Sequence, residues 1–505
     1  MADSVDPFSD YDAYDAVGLA GLVAAGEVKP RQLIDAAAIR IQAVNPDINA
    51  VIWQCLDRAR DEAADRTDGP FAGVPILIKD LVSDDGTPVT FGSVFFRDYV
   101  GDVTSEFRHR VHAAGFIEVG RTNTPEFGLL PTTEPVLHGP TRNPWDLTRS
   151  SGGSSGGAAA AVAAGIVPLA QGSDGGGSIR IPASACGVFG LKPSRGRNPR
   201  RPPVSSDSLS VDGALTRTVR DSAAFLDAIH GPTPGDEYWA PPPSGTFSDA
   251  VSADPGRLRI AYSVRDYRGI RVHPDCEAAI VDTAELLNTL GHDVVQAAPQ
   301  LNGAAMSQAF LEIWAALAEH GFGNILRAAE ELEPRVRQLR RIAGDLRTIR
   351  VLSRLTQRAT GKPAFEPFTF TLANRSARRS PADLLTAQVS LQEASREAGR
   401  FLEQYDVFLT PVLGSPPVPL GTIDQTLPWD EYTEMITRYV AFTPLANFSG
   451  LPAMSVPLFW TDDGLPVGSH FLGRFGDEET LFSLAAQLER ARPWADRKPP
   501  VYANV

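Results

Sequence analysis

Apolar and polar residues follow one another along this chain in two rhythms, one of helical and one of strand period. Residues 17–27 and 30–44 have helical spacing. The second stretch follows Lys29-Pro30 and sets Leu33, Ile34, Ala37, Ile41 and Val44 on one face, with proline at the first helical position. Phe71-Ala-Gly-Val-Pro-Ile-Leu-Ile-Lys-Asp-Leu81 is a short apolar run that suits a buried strand. Further on, Arg257 to Ser263 reads as a strand, 274–290 as a helix and His292 to Gln296 as another strand. That β–α–β order predicts an α/β layer fold. Residues 303–360 read as mostly helical, Tyr405 to Leu409 as a late buried strand, and 477–491 as a closing amphipathic helix. The stretch 231–256 is rich in proline and glycine and predicts a surface excursion. No repeat of solenoid period interrupts this order.

Composition narrows the class. At about 150 residues per domain, a chain of 505 residues would hold three domains, yet a large α/β fold can occupy that length as one unit. With 43% hydrophobic and 21% charged residues, a sizeable core is expected and whole-chain disorder is excluded. The net charge of −14 argues against nucleic acid and anionic membranes as partners. Residues 335–362 carry nine basic residues against one acidic, which reads as a solvated helical face. Cys55, Cys186 and Cys276 are scattered and odd in number, so neither a disulfide scaffold nor a zinc cage is expected. The start, Met1-Ala-Asp-Ser-Val-Asp, lacks the order of a secretion signal. The longest weakly polar stretch, Ala158 to Ala170, is too short to span a bilayer. A soluble, cytoplasmic protein is expected.

Lysine is the informative letter for chemistry. Of 47 basic residues five are lysine, and Lys29, Lys192, Lys362 and Lys498 each precede proline. Lys79 instead ends the apolar run. A desolvated ammonium loses hydration and its pKa falls, by up to ~3–5 units, so such a lysine can act as a base near neutrality. The plain alternatives are a lysine reaching out from a strand end or paired with Asp80.

The second constellation is Ser150-Ser-Gly-Gly-Ser-Ser-Gly-Gly157, followed by Gly172-Ser-Asp-Gly-Gly-Gly-Ser-Ile-Arg-Ile-Pro-Ala183. Consecutive glycines let backbone N–H groups converge on one anionic oxygen, and Ser178 ends such a run. A phosphate loop would need a lysine after the glycines, where Ala158 and Ser178 stand. Gly152-Gly-Ser-Ser-Gly156 also fits a nucleophile elbow, with Ser154 as nucleophile in an α/β-hydrolase-type esterase. That motif needs a preceding strand and a late histidine. Arg142 to Arg149 is a poor strand, and only His470 could serve.

These residues together resemble the amidase signature family. Lys79, the block at 152–157 and Gly176-Gly-Ser-Ile-Arg-Ile-Pro182 match in order and spacing, 75 residues from Lys79 to Ser154 and 24 from Ser154 to Ser178. Gly120-Arg-Thr-Asn-Thr-Pro-Glu-Phe-Gly128, Asn143-Pro144, Cys186-Gly-Val-Phe-Gly-Leu-Lys-Pro193, Asn447 to Pro457 and Gly464 to Gly468 match as well, so the likeness covers nearly the whole chain. It implies one domain over 1–505: a large mixed central β-sheet with helices on both faces. The catalytic core would span 60–230, with a variable helical segment at 300–400 over the substrate pocket. It further implies a Ser–Ser–Lys triad: Ser178 as nucleophile, Ser154 as bridging serine after a cis peptide bond, and Lys79 as base. The N–H groups of Gly175, Gly176, Gly177 and Ser178 would form the oxyanion hole. Ser155, Asp174 and Arg180 would support it, the last two as a structural ion pair, and Lys192 would be structural.

No metal or organic cofactor is implied, and the eight histidines form no HExxH pair. Position 175 is glycine where the family more often has threonine, isoleucine or alanine, which would either widen the acyl site or loosen the loop. Gln42 to Val51, Thr133-Glu-Pro and Gly139 to Trp145 are most similar in wording to bacterial cyclic-amide (nylon-oligomer) hydrolases and broad amidases. The implied partner is a small uncharged or aromatic amide (anilide, cyclic amide or carbamate type), with a homodimer left open. The rival within the family is a glutaminase subunit of a tRNA-dependent amidotransferase. That subgroup usually reads Thr-x-Gly-Arg-Val-Ser-Arg-Tyr-Gly after Lys-Pro, whereas Ser194-Arg-Gly-Arg-Asn-Pro-Arg-Arg-Pro202 stands here. Residues 303–360 and the loop before Arg257 are expected to cap the pocket, with Trp314 and Phe322 setting selectivity.

Overall fold

The structure, a computed structural model, describes residues 7–505 apart from 65, 67, 200–208 and 333–344. Its strands are β1 (Val51–Gln54), β2 (Pro75–Lys79), β3 (Ile117–Thr122), β4 (Arg142–Asn143), β5 (Asp146–Ser150), β6 (Leu169–Asp174), β7 (Phe189–Lys192), β8 (Val211–Thr216), β9 (Arg259–Tyr262), β10 (Asp293–Gln296), β11 (Val407–Pro411), β12 (Ala453–Trp460) and β13 (Pro466–Gly473). Eleven of them form one sheet in the order β1-β3-β2-β6-β8-β7-β12-β13-β11-β9-β10, and β4 pairs with β5 separately. The sheet is mixed: β2 runs parallel to β3 and β6, β9 runs parallel to β10 and β11, and the pairs between are antiparallel.

The strand sequences explain why both faces are covered. In β2 every residue is buried, so it reads as a continuous apolar run rather than an alternation. Ile76 and Ile78 enter one core with Phe71, Phe116 and Phe225, while Leu77 enters the other with Ile34 and Val119. Farther along the sheet Val407 and Leu409 of β11 face the first core, and Phe408 packs on the opposite face with Leu402 and Leu472. The β–α–β unit read from the sequence is present: helix Pro274–Thr289 joins two parallel neighbours, β9 and β10.

Helices form at 16–24, 30–48 and 478–491, within a few residues of the expected spans. Residues 303–332 and 345–360 are helical, and part of the basic stretch 335–362 lies outside the described residues. One expectation fails locally. Residues 146–150 do form a strand, because they pair with Arg142–Asn143 in a hairpin away from the central sheet. The loop before Arg257 is no cap either: Phe247 packs with Phe482, and Ser244 bonds to Glu479 on the closing helix.

Candidate active site

Lys79 is the last residue of β2, held between β3 and β6, and its N–H donates to Gln171 Oε1 at 3.0 Å. Its side chain is fully buried. Nζ lies 2.7 Å from Ser154 Oγ, 2.9 Å from Ser155 Oγ and 3.1 Å from Ser173 Oγ. Burial lowers its pKa to about 7, against the opposing charges of Asp174 and Asp212. The plainer readings of this lysine do not hold. It does not reach solvent, and the Asp80 carboxylate is turned to the Thr90 N–H at 2.9 Å, the Thr90 hydroxyl and Gly92.

Ser154 and Ser155 sit in the turn between β5 and a buried helix, Gly156–Ala163. The Gly153–Ser154 peptide bond is cis. Backbone closes in around this turn: a Cβ on Gly153 would stand 2.7 Å from Thr132 N and 2.8 Å from Leu130 O. Ser155 joins the two blocks, donating its N–H to the Ser178 carbonyl at 3.2 Å and its hydroxyl to the Ser173 carbonyl at 3.2 Å.

The second glycine run leaves β6 and turns into helix Arg180–Cys186. Asp174 holds this turn from beneath. It accepts from Gly177 N–H at 2.7 Å, Ile179 N–H at 3.1 Å, and Arg180 Nε and Nη2 at 2.9 Å each. The Arg180 guanidinium keeps the Asp174 carboxyl below the usual range, although burial alone would raise it. Gly177 has φ of 132°, the left-handed side that glycine tolerates. Among the described residues the N–H groups of Gly175, Gly176 and Ser178 have no acceptor, whereas that of Gly177 is spent on Asp174. Among the described residues, three of the four expected donors therefore stand free. Ser178 is 8% exposed, and among the described residues its hydroxyl forms no hydrogen bond to Ser154.

Residues far along the chain complete the brace, and nothing in local spacing marked them. Asn447 donates to the Asp174 carbonyl at 2.9 Å and accepts from Arg180 at 2.7 Å. The Thr443 hydroxyl donates to the Gly176 carbonyl at 2.7 Å, and the Thr443 carbonyl accepts from Arg180 at 2.9 Å. Asn447 opens a matched segment, so its position was visible but its role was not. Ser173, inside the second block, was also missed. Lys192 is buried and bonds to the Pro193 carbonyl at 2.8 Å.

Residues 32–482 match the model of the Amidase family. This chain belongs to the amidase family. It is a hydrolase of amide bonds, as that membership entails. Over 500 residues the amidase is 38% identical to 6-aminohexanoate-cyclic-dimer hydrolase from Pseudomonas sp. (strain NK87), covering 96% of each chain. A solved structure of 6-aminohexanoate cyclic dimer hydrolase superposes with a TM-score of 0.85 at 34% identity, over 97% of this chain and 99% of that one. A bacterial aryl acylamidase of the amidase signature family superposes with a TM-score of 0.82 at 29% identity, over 95% of this chain and 97% of the other.

Two expectations need correction in this amidase. The esterase reading through Ser154 and His470 fails on geometry. His470 is buried behind the glycine loop, with Nε2 2.9 Å from Arg180 Nη1 and Nδ1 3.0 Å from Thr410 Oγ1. Both ring nitrogens are engaged away from Ser154, and burial holds its pKa well below the usual value. The glycine at 175 does not widen the site. A Cβ there would meet Ser210 Oγ at 2.7 Å and ring atoms of Trp314 at 3.2 and 3.3 Å, so that space is already filled.

Proposed function

We propose that this amidase cleaves small uncharged or aromatic amides through an acyl-enzyme on Ser178. The observation that carries this reading is the 2.7 Å contact between the buried Lys79 amine and the Ser154 hydroxyl. A neutral amine has two N–H donors and one lone pair. With the N–H groups directed at Ser155 and Ser173, the lone pair is left for the Ser154 proton. Ser154 then accepts the proton of Ser178 as that hydroxyl attacks the carbonyl carbon. Catalytic contacts of this kind are often open without substrate and close around it, which suits the unmade Ser154–Ser178 bond.

The carbonyl oxygen becomes an oxyanion among the N–H groups of Gly175, Gly176 and Ser178, whose positions the Asp174 brace holds in advance. Collapse breaks the carbon–nitrogen bond, and the proton returns through Ser154 to the departing amine. Water adds to the acyl ester by the same relay, releasing the acid and free Ser178. Lys79, Ser154 and Ser178 are the catalytic residues in this reading, and Ser155, Asp174 and Arg180 position them.

The names of two similar proteins, a cyclic-dimer hydrolase and an aryl acylamidase, support cyclic amides and anilides as the substrate class. We read 1–505 as one domain with its catalytic core at 60–230 and a helical cap at 300–400. Among the described residues no helix is long and apolar enough to cross a membrane. We read the protein as cytoplasmic on its three free, buried cysteines, which suit a reducing interior. The test is a panel of an anilide, linear and cyclic aliphatic amides, a carbamate and glutamine, with Ser178 labelled by a fluorophosphonate and located by peptide mapping. Ser178→Ala is expected to abolish turnover and labelling while the circular dichroism stays unchanged. Full turnover by Ser178→Ala would end the proposal.

A further inference from the structure

Helix 303–332 lays two aromatic rings against the glycine loop. Phe310 and Trp314 are one helical turn apart and stacked, with centroids 5.5 Å apart and planes at 21°. A Cβ on Gly176 would stand 3.2 Å from Phe310, and one on Gly175 would stand 3.2 Å from Trp314. The slab therefore touches the loop at the two glycines whose N–H groups are free. It is also pinned, because Trp314 Nε1 donates to the Leu129 carbonyl at 3.2 Å. Leu129 follows Gly128, whose missing side chain would lie 3.1 Å from Ser154 Oγ. Trp314 is thus tied to the short turn that lies close against Ser154.

We infer that Phe310 and Trp314 are specificity-determining residues that form the wall of the acyl site and select amides with a flat or unbranched group on the carbonyl carbon. The inference rests on the acyl-enzyme reading. In that reading the carbonyl oxygen points at the free N–H groups, and the nitrogen must face Ser154 to receive its proton. The acyl substituent takes the remaining direction, along the rings that cover Gly175 and Gly176. An aryl group or a straight methylene chain lies against such a slab with close contact over its whole face. A branch at the carbon next to the carbonyl would drive a methyl group into rings backed by the glycine loop, of which Trp314 is also held by the Leu129 carbonyl. Overpacking of that kind in a close-packed site is unfavourable.

The experiment uses 4-nitroanilides of acetic, butyric, benzoic, isobutyric and pivalic acids, with a second series of acetyl amides of differing amines. The full-length protein should prefer the unbranched and benzoic substrates over the branched ones by about tenfold or more in kcat/KM, the range expected for misfit by one or two methyl groups. Trp314→Ala and the milder Trp314→Leu should reduce that preference severalfold by raising turnover of the branched substrates relative to the unbranched ones, with the order of preference among the acetyl amides kept even where their absolute rates change. Phe310→Ala should act in the same direction. Melting curves and fluorophosphonate labelling of Ser178 verify that each variant is folded and has a working nucleophile. A wild type indifferent to branching, or variants that alter selectivity only in the amine series, would overturn the inference. If the wild type cleaves no anilide and Ser178 resists labelling, the acyl-enzyme reading itself has failed.

Discussion

Lys79 shows how much one side chain's setting changes its chemistry. In water an ammonium keeps its proton far into the alkaline range. At the end of β2 burial lowers the pKa to about 7, and Asp174 and Asp212 recover only part of the difference. The sign of the consequence is definite. The base works only when neutral, so kcat/KM is expected to rise with pH through about 7 and level off above it. Asp212 favours the charged form, so Asp212→Asn should move this limb to lower pH. A pH–rate profile of the two proteins checks it, and a limb that stays put or moves up would contradict the role given to Lys79. The same shift costs stability, which should fall as the pH drops from the ordinary lysine range through about 7. The chain order Ile76-Leu77-Ile78-Lys79 pointed to burial but left a solvent-reaching or Asp80-paired lysine open, and the tertiary structure decided between them.

The turn after β6 and the turn at 126–129 make the neighbouring elements act together. Asp174 is an acceptor for two turn N–H groups and for Arg180, all of them buried. Asp174→Asn should lower kcat by about 100-fold, the scale of losing one oxyanion donor, since one amide oxygen cannot hold both N–H groups and the arginine. It also leaves a buried guanidinium short of its partner, at a cost of about 3–5 kcal/mol, readable in urea unfolding. Unchanged kcat with normal stability would show that the brace is dispensable.

Glu126 fastens the segment around 366–369 to the other turn. It accepts from the Glu366 N–H at 2.8 Å and from the Thr369 hydroxyl, and it contacts Ser93 Oγ at 2.7 Å. Burial, then the nearby Glu366 carboxyl, hold Glu126 well above the usual carboxyl range, so its neutral form is the one that fits. The Glu126 contribution should make thermal stability decline as the pH rises from the ordinary carboxyl range through about 8, where the group ionises in the folded protein. Glu126→Gln, which mimics the neutral acid, should flatten that decline. A variant with the same pH slope as the wild type would contradict the assignment.

Across the molecule, the helical segment beyond residue 300 has two distinct parts, although one periodicity runs through both. Trp314 is partly buried at the glycine loop, whereas Phe322 is 2% exposed and packs on Phe365 and Phe370. The expectation that both set selectivity therefore holds only for the first as a proposal. Phe322 belongs to the interior of the helical segment, and Phe322→Ala should cost about 3–5 kcal/mol while leaving substrate preference unaltered. Urea unfolding beside the anilide panel decides it, and a changed preference at normal stability would reverse the assignment.

The fold class and the two signature blocks were legible along the chain for a physical reason. Strand burial, glycine runs and a lone apolar-flanked lysine are local properties, written in consecutive residues. The family resemblance carried Asp174 and Arg180, six positions apart, and the structure joins them at 2.9 Å. Folding decided the rest by joining distant segments: Asn447 and Thr443 to the loop, His470 to the back of Arg180 rather than to Ser154, and Trp314 into the space beside Gly175. Such contacts depend on which strands become neighbours in the sheet and where a helix comes to lie, and no spacing along the backbone records that. The residues proposed for the chemistry stand in order along the chain, while the side chains around them meet only once the strands of the sheet have paired.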